Sequence, residues 1–525
     1  MNIVTGYGLI GLFLAVVVLV LERSRVKSTG LSDYTTGGRS FGPWYQTMSF
    51  LNTWLAGSVF ISFAGMTAGG GVIGYYLVFY SLLALLLMFF MARPVHEWGK
   101  RFDLRTQADL LGFRYRSHAV RRIAGLIGLV AAFPWIVLGM QSLSLVFTHL
   151  GYGAVPAAGA IVLSIAVLAF RQIWTVRMGM RGVVISDMIQ GITAYGIGLV
   201  VIVGLLVHLV TSGYGLDSVP ADYFLLPGPG SEAGPLYFFS LVLTGAIGGW
   251  CWPDVFVRLF TARSTEAIKK STALSAPILL AFSTGLCTVA LLAATYPGVK
   301  EAPSSVWFIV AAVGGPLLVA LAGVIVLAAT MGNVDALIQA ASAQLTNDFA
   351  RTAPDSAVAG ETKWAKIGTI VITAAAAVCA LVWLEEPALY VLAIVSYQGI
   401  VQLGPALYFG LFWERGNATA AVASMTSGFA TAAAFQIFYP TSVPWLGGAT
   451  SGIAGLIVNA AVYVACAYLV PVADEERARV AALFDRSTSE PAVAPEPAVA
   501  SEPAAASEPA AASEPAAPVE EPAAV

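Results

Sequence analysis

The stretch 328-AATMGNVDALIQAASAQLTND-348 decides how this chain is read. Its Ala, Met, Leu and Ile suit a helix in a membrane, yet Asn333, Asp335 and Gln339 interrupt the apolar run. At about 100° per residue, Ala329, Gly332, Asn333, Ala336 and Ala340 share one small-residue face. Asp335, Gln339, Ser342 and Thr346, spaced 4, 3 and 4, form a polar stripe beside it. Such a helix is expected to flank a water-filled route rather than to sit in lipid. A carboxylate there costs roughly 2.5–3.5 kcal/mol on insertion scales, so it marks a functional group by default.

The rest of the chain agrees with a membrane setting. Its 525 residues are 58% hydrophobic and 11% charged, where soluble domains carry about 25% charged residues. The four cysteines (Cys251, Cys287, Cys379, Cys466) lie in apolar runs without ligand spacing and read as buried small hydrophobes. His96, His118, His149 and His208 form no i, i+4 pair, and no HExxH, GxSxG or P-loop pattern occurs. Hydrolytic and ATP-driven chemistry, and a transition-metal site, therefore have no support. No cofactor is expected, and the chain does not read as an enzyme. Nothing in the charges points to nucleic acid or to an obligate protein partner.

Hydropathy and turn signals predict about thirteen spans: 3–21, 44–68, 72–95, 119–148, 153–171, 182–209, 236–257, 272–296, 314–346, 364–384, 387–413, 417–438 and 447–470. The first carries no cleavage site and reads as a retained helix. Of the 27 Lys and Arg, only Lys300 falls outside the loops (with their flanks) that follow odd-numbered spans. That separation places the N-terminus outside and the C-terminus in the cytoplasm of a multi-pass cell (plasma or inner) membrane protein. Arg258, Arg263, Lys269 and Lys270, like Arg114, Arg116, Arg121 and Arg122, are expected to hold cytoplasmic loops at the headgroups. From Ser487 the Glu-Pro-Ala repeats cannot bury enough surface to fold and are expected to be disordered.

Two spans contain breaks in their apolar pattern. Span 2 has Asn52, Thr53, Gly57 and Ser58 near its middle, and span 7 has Gly245, Gly248, Gly249 and Pro253. Unwound backbone at midplane is tolerated where it lines a cavity, and paired interruptions fit an inverted-repeat transporter. Close packing through small residues is the competing explanation.

Six stretches, in order, resemble the solute:sodium symporter family: 35-TTGGRSFGPW-44, 101-RFDLRTQADLLGFRYRS-117, 181-RGVVISDMIQG-191, 253-PDVFVRLFTARSTEAIKKS-271, the end of the opening stretch at Thr346-Asn347-Asp348, and 402-QLGPALYFGLFWERGNATAAVASMTSG-428. The resemblance covers roughly residues 1–470. It implies an all-α, LeuT-like core of two inverted five-helix repeats, with the first and sixth core helices broken. The expected organisation is a first helix and loop (1–43), repeats over 44–209 and 236–413, two peripheral helices (414–470), and a cytoplasmic tail (471–525). The implied activity is cation-coupled, Na⁺-driven uptake of a small organic solute across the bilayer by alternating access.

Carried over residue by residue, the family's Na⁺ site falls on the carbonyls of Asn52, Leu55 and Ala329 and on Gly332 and Asn333. The family places adjacent hydroxyl residues at the last two positions. Gly332 has no side-chain oxygen, while Asn333 offers an amide oxygen. Substrate contacts fall on Trp54, Gly57, Gly249 and Trp250, where both indoles could equally be packing residues.

Asp187 matches the family's acidic residue on the ion's route to the cytoplasm, with pairing to Arg181 or another cytoplasmic group as the alternative. For Asp335, which leads to Gln339 on the stripe, three roles stand open: an ion ligand through water, a proton carrier, or a partner for polar groups on a neighbouring helix. An H⁺-coupled or uncoupled relative using Asp335 or Asp187 is the first alternative function. A membrane solute sensor is the second, and the short tail leaves no room for a globular output domain.

Overall fold

The computed structural model describes residues 2–26, 30–350, 358–382 and 389–485. Within them the chain is helical almost throughout, and its two β-bridges, Phe41 with Ala262 and Val443 with Ala449, are isolated. The Glu-Pro-Ala repeats expected to be disordered lie outside the described residues.

Ten of the described helices are long and apolar enough to cross a membrane, and one bent pair makes an eleventh. The expected thirteen differ because of spans 2 and 11, which are built from shorter pieces. Span 2 is Pro43–Trp54, a break, a π turn Val59–Phe63 and Ala64–Gly70, after which the chain runs on into span 3, Tyr76–Arg101. Span 11 is Leu389–Ile400 and Gly404–Phe412 joined by a 3-10 turn. Pro405 stands in the first turn of the second piece, where its missing amide costs nothing.

The break in span 2 has a local cause. Leu55 turns to ψ 69°, which ends Pro43–Trp54, and helical turns resume only at Val59. Span 7 divides into Tyr237–Gly249 and Pro253–Thr261, bent by 44°. Pro253 cannot donate an amide to the preceding turn but suits the start of a new helix. Trp252 before it is extended, at φ −69° and ψ 127°. Span 6 continues through a π turn, Ile192–Ile197, between Met180–Gly191 and Gly198–Thr211.

Gly315–Gln344, which carries the opening stretch, is the hub (span 9). Every residue from Ala322 to Gln344 is buried, and the helix packs against spans 1, 2, 4, 6, 7 and 10. Lipid is met by other helices, such as span 6 with its exposed Val200, Val203, Val207 and Val210.

The loop after span 3 ties the cytoplasmic end of this hub. Thr106 Oγ1 caps Gln107–Arg114 by accepting from the Asp109 amide, and it donates to the Asp348 carboxylate, with contacts of 3.0 and 2.8 Å. Arg121 Nε donates to Asp348 at 2.8 Å and its Nη2 to the Asn347 carbonyl at 2.6 Å. Arg114 and Arg258 are not headgroup anchors, because both are fully buried. The Arg114 guanidinium instead donates to the carbonyls of Gly410 and Trp413, at 2.8 and 3.1 Å, where span 11 ends. A cation suits that end of a helix. The stretch assigned to the tail begins with a further helix, Asp474–Phe484. Its Arg479 Nη2 donates to the Arg114 carbonyl at 2.8 Å.

Replacing the Asp348 carboxylate by an amide leaves Arg121 and Thr106 one neutral oxygen to share where they now share a charged pair. Asp348→Asn is expected to lower stability by about 3 kcal/mol, read as a fall in the thermal unfolding midpoint of the purified protein, while Asp222→Asn at the surface changes it little.

Candidate functional site

The carbonyl end of Pro43–Trp54 lies directly against the middle of span 9. Asn333 Nδ2 donates to the Thr53 carbonyl at 2.9 Å. Two glycines allow this approach. A Cβ on Gly57 would stand 1.8 Å from Thr330 Oγ1 and 2.7 Å from the Val326 carbonyl oxygen. One on Gly332 would stand 1.8 Å from Asn52 Nδ2. Asn52 therefore fills the space that a larger residue at position 332 would claim. Its amide nitrogen is held there, donating to Asp187 Oδ1 at 3.2 Å and Gln190 Oε1 at 3.1 Å.

A helix that ends in a dry interior exposes carbonyls that need partners. The Tyr195 hydroxyl, from the π turn of span 6, reaches the Leu51 and Leu55 carbonyls at 2.9 and 2.8 Å. It also stands 3.4 Å from Asn52 Oδ1. Asn52 thus meets Gly332, and Asn333 meets Thr53 two residues before Leu55, with Ala329 buried one turn before Asn333 on the same helix. Tyr195 did not stand out in the sequence, where one hydroxyl in ITAYGI gives no sign of its target.

Below the break, two carboxylates and two guanidiniums are buried together. Asp187 Oδ2 accepts from Ser49 Oγ at 2.6 Å and pairs with Arg258 Nη2 at 3.3 Å. The expected alternative partner, Arg181, is not the one used. Arg258 Nε also donates to Thr53 Oγ1 at 3.1 Å. Asp335 Oδ1 accepts from Gln172 Nε2 at 2.6 Å, and Oδ2 lies 3.2 Å from Arg171 Nη2. Arg171 reaches Thr175 and Ser186 as well. Gln339 donates to the Tyr34 carbonyl at 3.4 Å, and Ser342 accepts from Thr369 at 3.1 Å. The polar stripe is buried; Asp335, Gln339 and Ser342 each bond to a different neighbour, while Thr346 donates to the Ser342 carbonyl of its own helix at 3.0 Å.

A cavity with about 430 Å³ of empty space, its open mouth included, adjoins the break. Thr53, Trp54, Asn333 and Leu337 line it, together with Tyr80, Trp135, Trp252, Asp254 and Tyr397. Trp54 is held by donating from Nε1 to Ser81 Oγ at 2.8 Å. A Cβ on Gly249 would stand 2.3 Å from Trp54 Cη2, so Gly249 makes room for that indole. Trp250 is packed away from the cavity: its Nε1 donates to the Ala84 carbonyl at 2.7 Å, and its ring stacks on Phe50 at 5.7 Å. Gly57 serves the contact with span 9. Trp135, Trp252, Asp254 and Tyr397 were not singled out from the sequence, where an aromatic in an apolar span looks the same whether it faces lipid, core or cavity.

Comparison with known proteins gives one consistent result. A family model described as the sodium:solute symporter family matches residues 34–428. An uncharacterised symporter of Bacillus subtilis, YhjB, is 24% identical over 50% of this chain and 53% of its own length. The chain thus spans about half the length of this relative. A monocarboxylate transport permease protein of Rhizobium johnstonii is 26% identical over 85% of this chain and 92% of its own. Among solved structures, a Na⁺-coupled sialic acid symporter in a substrate-bound outward-open state superimposes with a TM-score of 0.73, at 16% identity, over 89% of this chain and 97% of that one. That likeness carries the fold.

The contact of Gly332 with Asn52 yields a test. Gly332→Ala adds a methyl where Asn52 Nδ2 stands and must break the bonds to Asp187 and Gln190. The expected net loss is about 1–3 kcal/mol, as for overpacking elsewhere, although alanine is the better helix former by about 1 kcal/mol. Asn52→Ala combined with Gly332→Ala is expected to recover most of the thermal midpoint lost in Gly332→Ala. A double variant no more stable than the sum of the single losses would show that the two residues do not share this space.

Proposed function

Since the chain belongs to the sodium:solute symporter family, we propose that it is a secondary active transporter that couples Na⁺ to the uptake of a small organic solute by alternating access. It is a multi-span membrane protein of a transporter family, with two inverted repeats over 44–209 and 236–413. The distribution of Lys and Arg supports an N-terminus outside the cell and a C-terminus in the cytoplasm.

The observation that carries the proposal is the meeting of the span 2 break with span 9. The family's pattern assigns four oxygens to this meeting: the carbonyls of Asn52, Leu55 and Ala329, and the Asn333 amide oxygen left over once its nitrogen donates to Thr53. A hard cation takes oxygen ligands of this kind. Gly332 contributes space, not an oxygen. The Tyr195 hydroxyl can donate to one carbonyl while offering a lone pair, so it is a further oxygen beside the ion.

Asp187, Asp335 and Gln339 are assigned to the route beneath this site, where they latch spans 2, 5, 6, 7 and 9 together. Among the expected substrate residues, Trp54, which lines the cavity, is taken as a substrate contact, with Gly249 behind it making room for the indole. The proton-coupled and sensor readings are not favoured in a family of sodium symporters.

The test needs no substrate. The thermal midpoint of the purified protein is followed as Na⁺ replaces K⁺ at fixed ionic strength. A ligand that binds only the folded state raises it in a saturable way, by about 2.7 kcal/mol at a hundredfold excess over Kd. Saturable stabilisation is expected in the native protein, weakened at least tenfold in apparent affinity by Asn333→Ala and reduced by Tyr195→Phe. A native protein with equal midpoints in Na⁺ and K⁺ would remove the ion site from this position.

A further inference from the structure

We propose that the solute held in this cavity carries a positively charged nitrogen, a protonated or methylated ammonium, with Asp254 as its counter-charge and Trp135, Trp252 and Tyr397 as the walls around it. The inference rests on the transporter reading and adds the chemical class of the cargo.

Three separate parts of the chain bring these rings together: span 4, the break of span 7 and span 11. Their planes are nearly perpendicular to one another. Trp135 and Trp252 have centroids 5.8 Å apart at 76°, Trp135 and Tyr397 5.9 Å at 84°, and Trp252 and Tyr397 5.3 Å at 76°. Tyr80 extends the wall, 6.2 Å from Tyr397. Aromatic faces attract a cation within about 6 Å of the centroid, and several faces around one point suit a methylated ammonium.

Edge-to-face rings also occur in ordinary cores, so the polar atoms decide. The Nε1 of Trp135 and the Oδ1 of Asp254 are both buried without a hydrogen-bond partner. Buried indoles and carboxylates in a core normally find one. Asp254 is only 2% exposed. It has no ion-pair partner within 4 Å among the described residues, because Arg258, one turn further on, is committed to Asp187 and Thr53.

The cavity lining contains a carboxylate and neither lysine nor arginine. A positive solute would complete that charge balance, while a free carboxylate anion would meet Asp254 with like charge. The unpartnered Trp135 indole N–H calls for an acceptor on the same solute. A hydroxyl or a carboxylate a few bonds from the ammonium supplies it.

The experiment uses the full-length purified protein in Na⁺ at constant ionic strength. Thermal midpoints are titrated with tetramethylammonium, ethanolamine, choline and glycine betaine, and in parallel with potassium acetate, propionate and pyruvate. Saturable stabilisation is expected from the ammonium set, with choline and glycine betaine acting at lower concentration than tetramethylammonium, and none from the simple carboxylates. Asp254→Asn is expected to weaken the apparent affinity at least tenfold and Trp252→Leu to weaken it too. Retention of the Na⁺ response in these variants shows that they are folded.

Stabilisation by the carboxylates alone, or by neither set, overturns the proposal. A Na⁺ response without an ammonium response leaves the symporter reading standing and removes this one. An ammonium response in K⁺ equal to that in Na⁺ keeps the solute class and removes Na⁺ coupling.

Discussion

The arrangement of Asp187 with Arg258 and Asp335 with Arg171 is the constraint on which the centre of the protein depends. All four side chains are buried, and their formal charges cancel. Such pairs contribute little net stability, because desolvation offsets the attraction, but losing one partner leaves a bare charge in a dry interior. The consequence is geometric. Asp187 and Gln190 fix the amide of Asn52, Asn52 leaves room for nothing larger than glycine at 332, and Gly332 brings Asn333 to the open carbonyl of Thr53. A displacement of Arg258 would pass along this sequence of contacts to the break itself.

The same network explains how a helix full of small residues can be the hub. Association of helices in lipid gains little from the hydrophobic effect and relies on close packing and interhelical hydrogen bonds. Span 9 offers a surface of Ala, Gly and Thr on which backbones approach closely. Its few polar side chains each point to a different neighbour: Asp335 to span 5, Asn333 to span 2, Ser342 to span 10. Polar groups at spaced points fix the angular setting that uniform small residues would leave free.

Much of this was legible beforehand. The opening stretch declared that span 9 avoids lipid, and interrupted patterns in spans 2 and 7 marked where the helices end. What stayed hidden depends on contacts between distant residues. Asp335 announced a partner but not Arg171, which is 164 positions earlier. Counting charges by loop placed Arg258 and Arg114 at headgroups, because that count cannot tell a snorkelling arginine from one drawn inside. A signal was available for Arg258: it sits within PDVFVRLFT, flanked by large apolar residues on both sides, and all nine are buried. The cavity left no such mark, since its walls combine single residues from separate spans.

Coupling follows from how the two proposed sites share a wall. Thr53 and Asn333 line the cavity, and the hydrogen bond between them closes the break where the ion would sit. Any shift of Asn333 toward an ion therefore alters the surface met by the solute, and occupancy of one site biases the other. A cationic solute makes this harder. Two positive charges in adjoining sites of low dielectric repel each other, which opposes cooperation. Asp254 resolves the conflict from within the cavity. With its carboxylate against the ammonium, the pair presents little net charge to Na⁺, and the shared wall can act in the favourable direction.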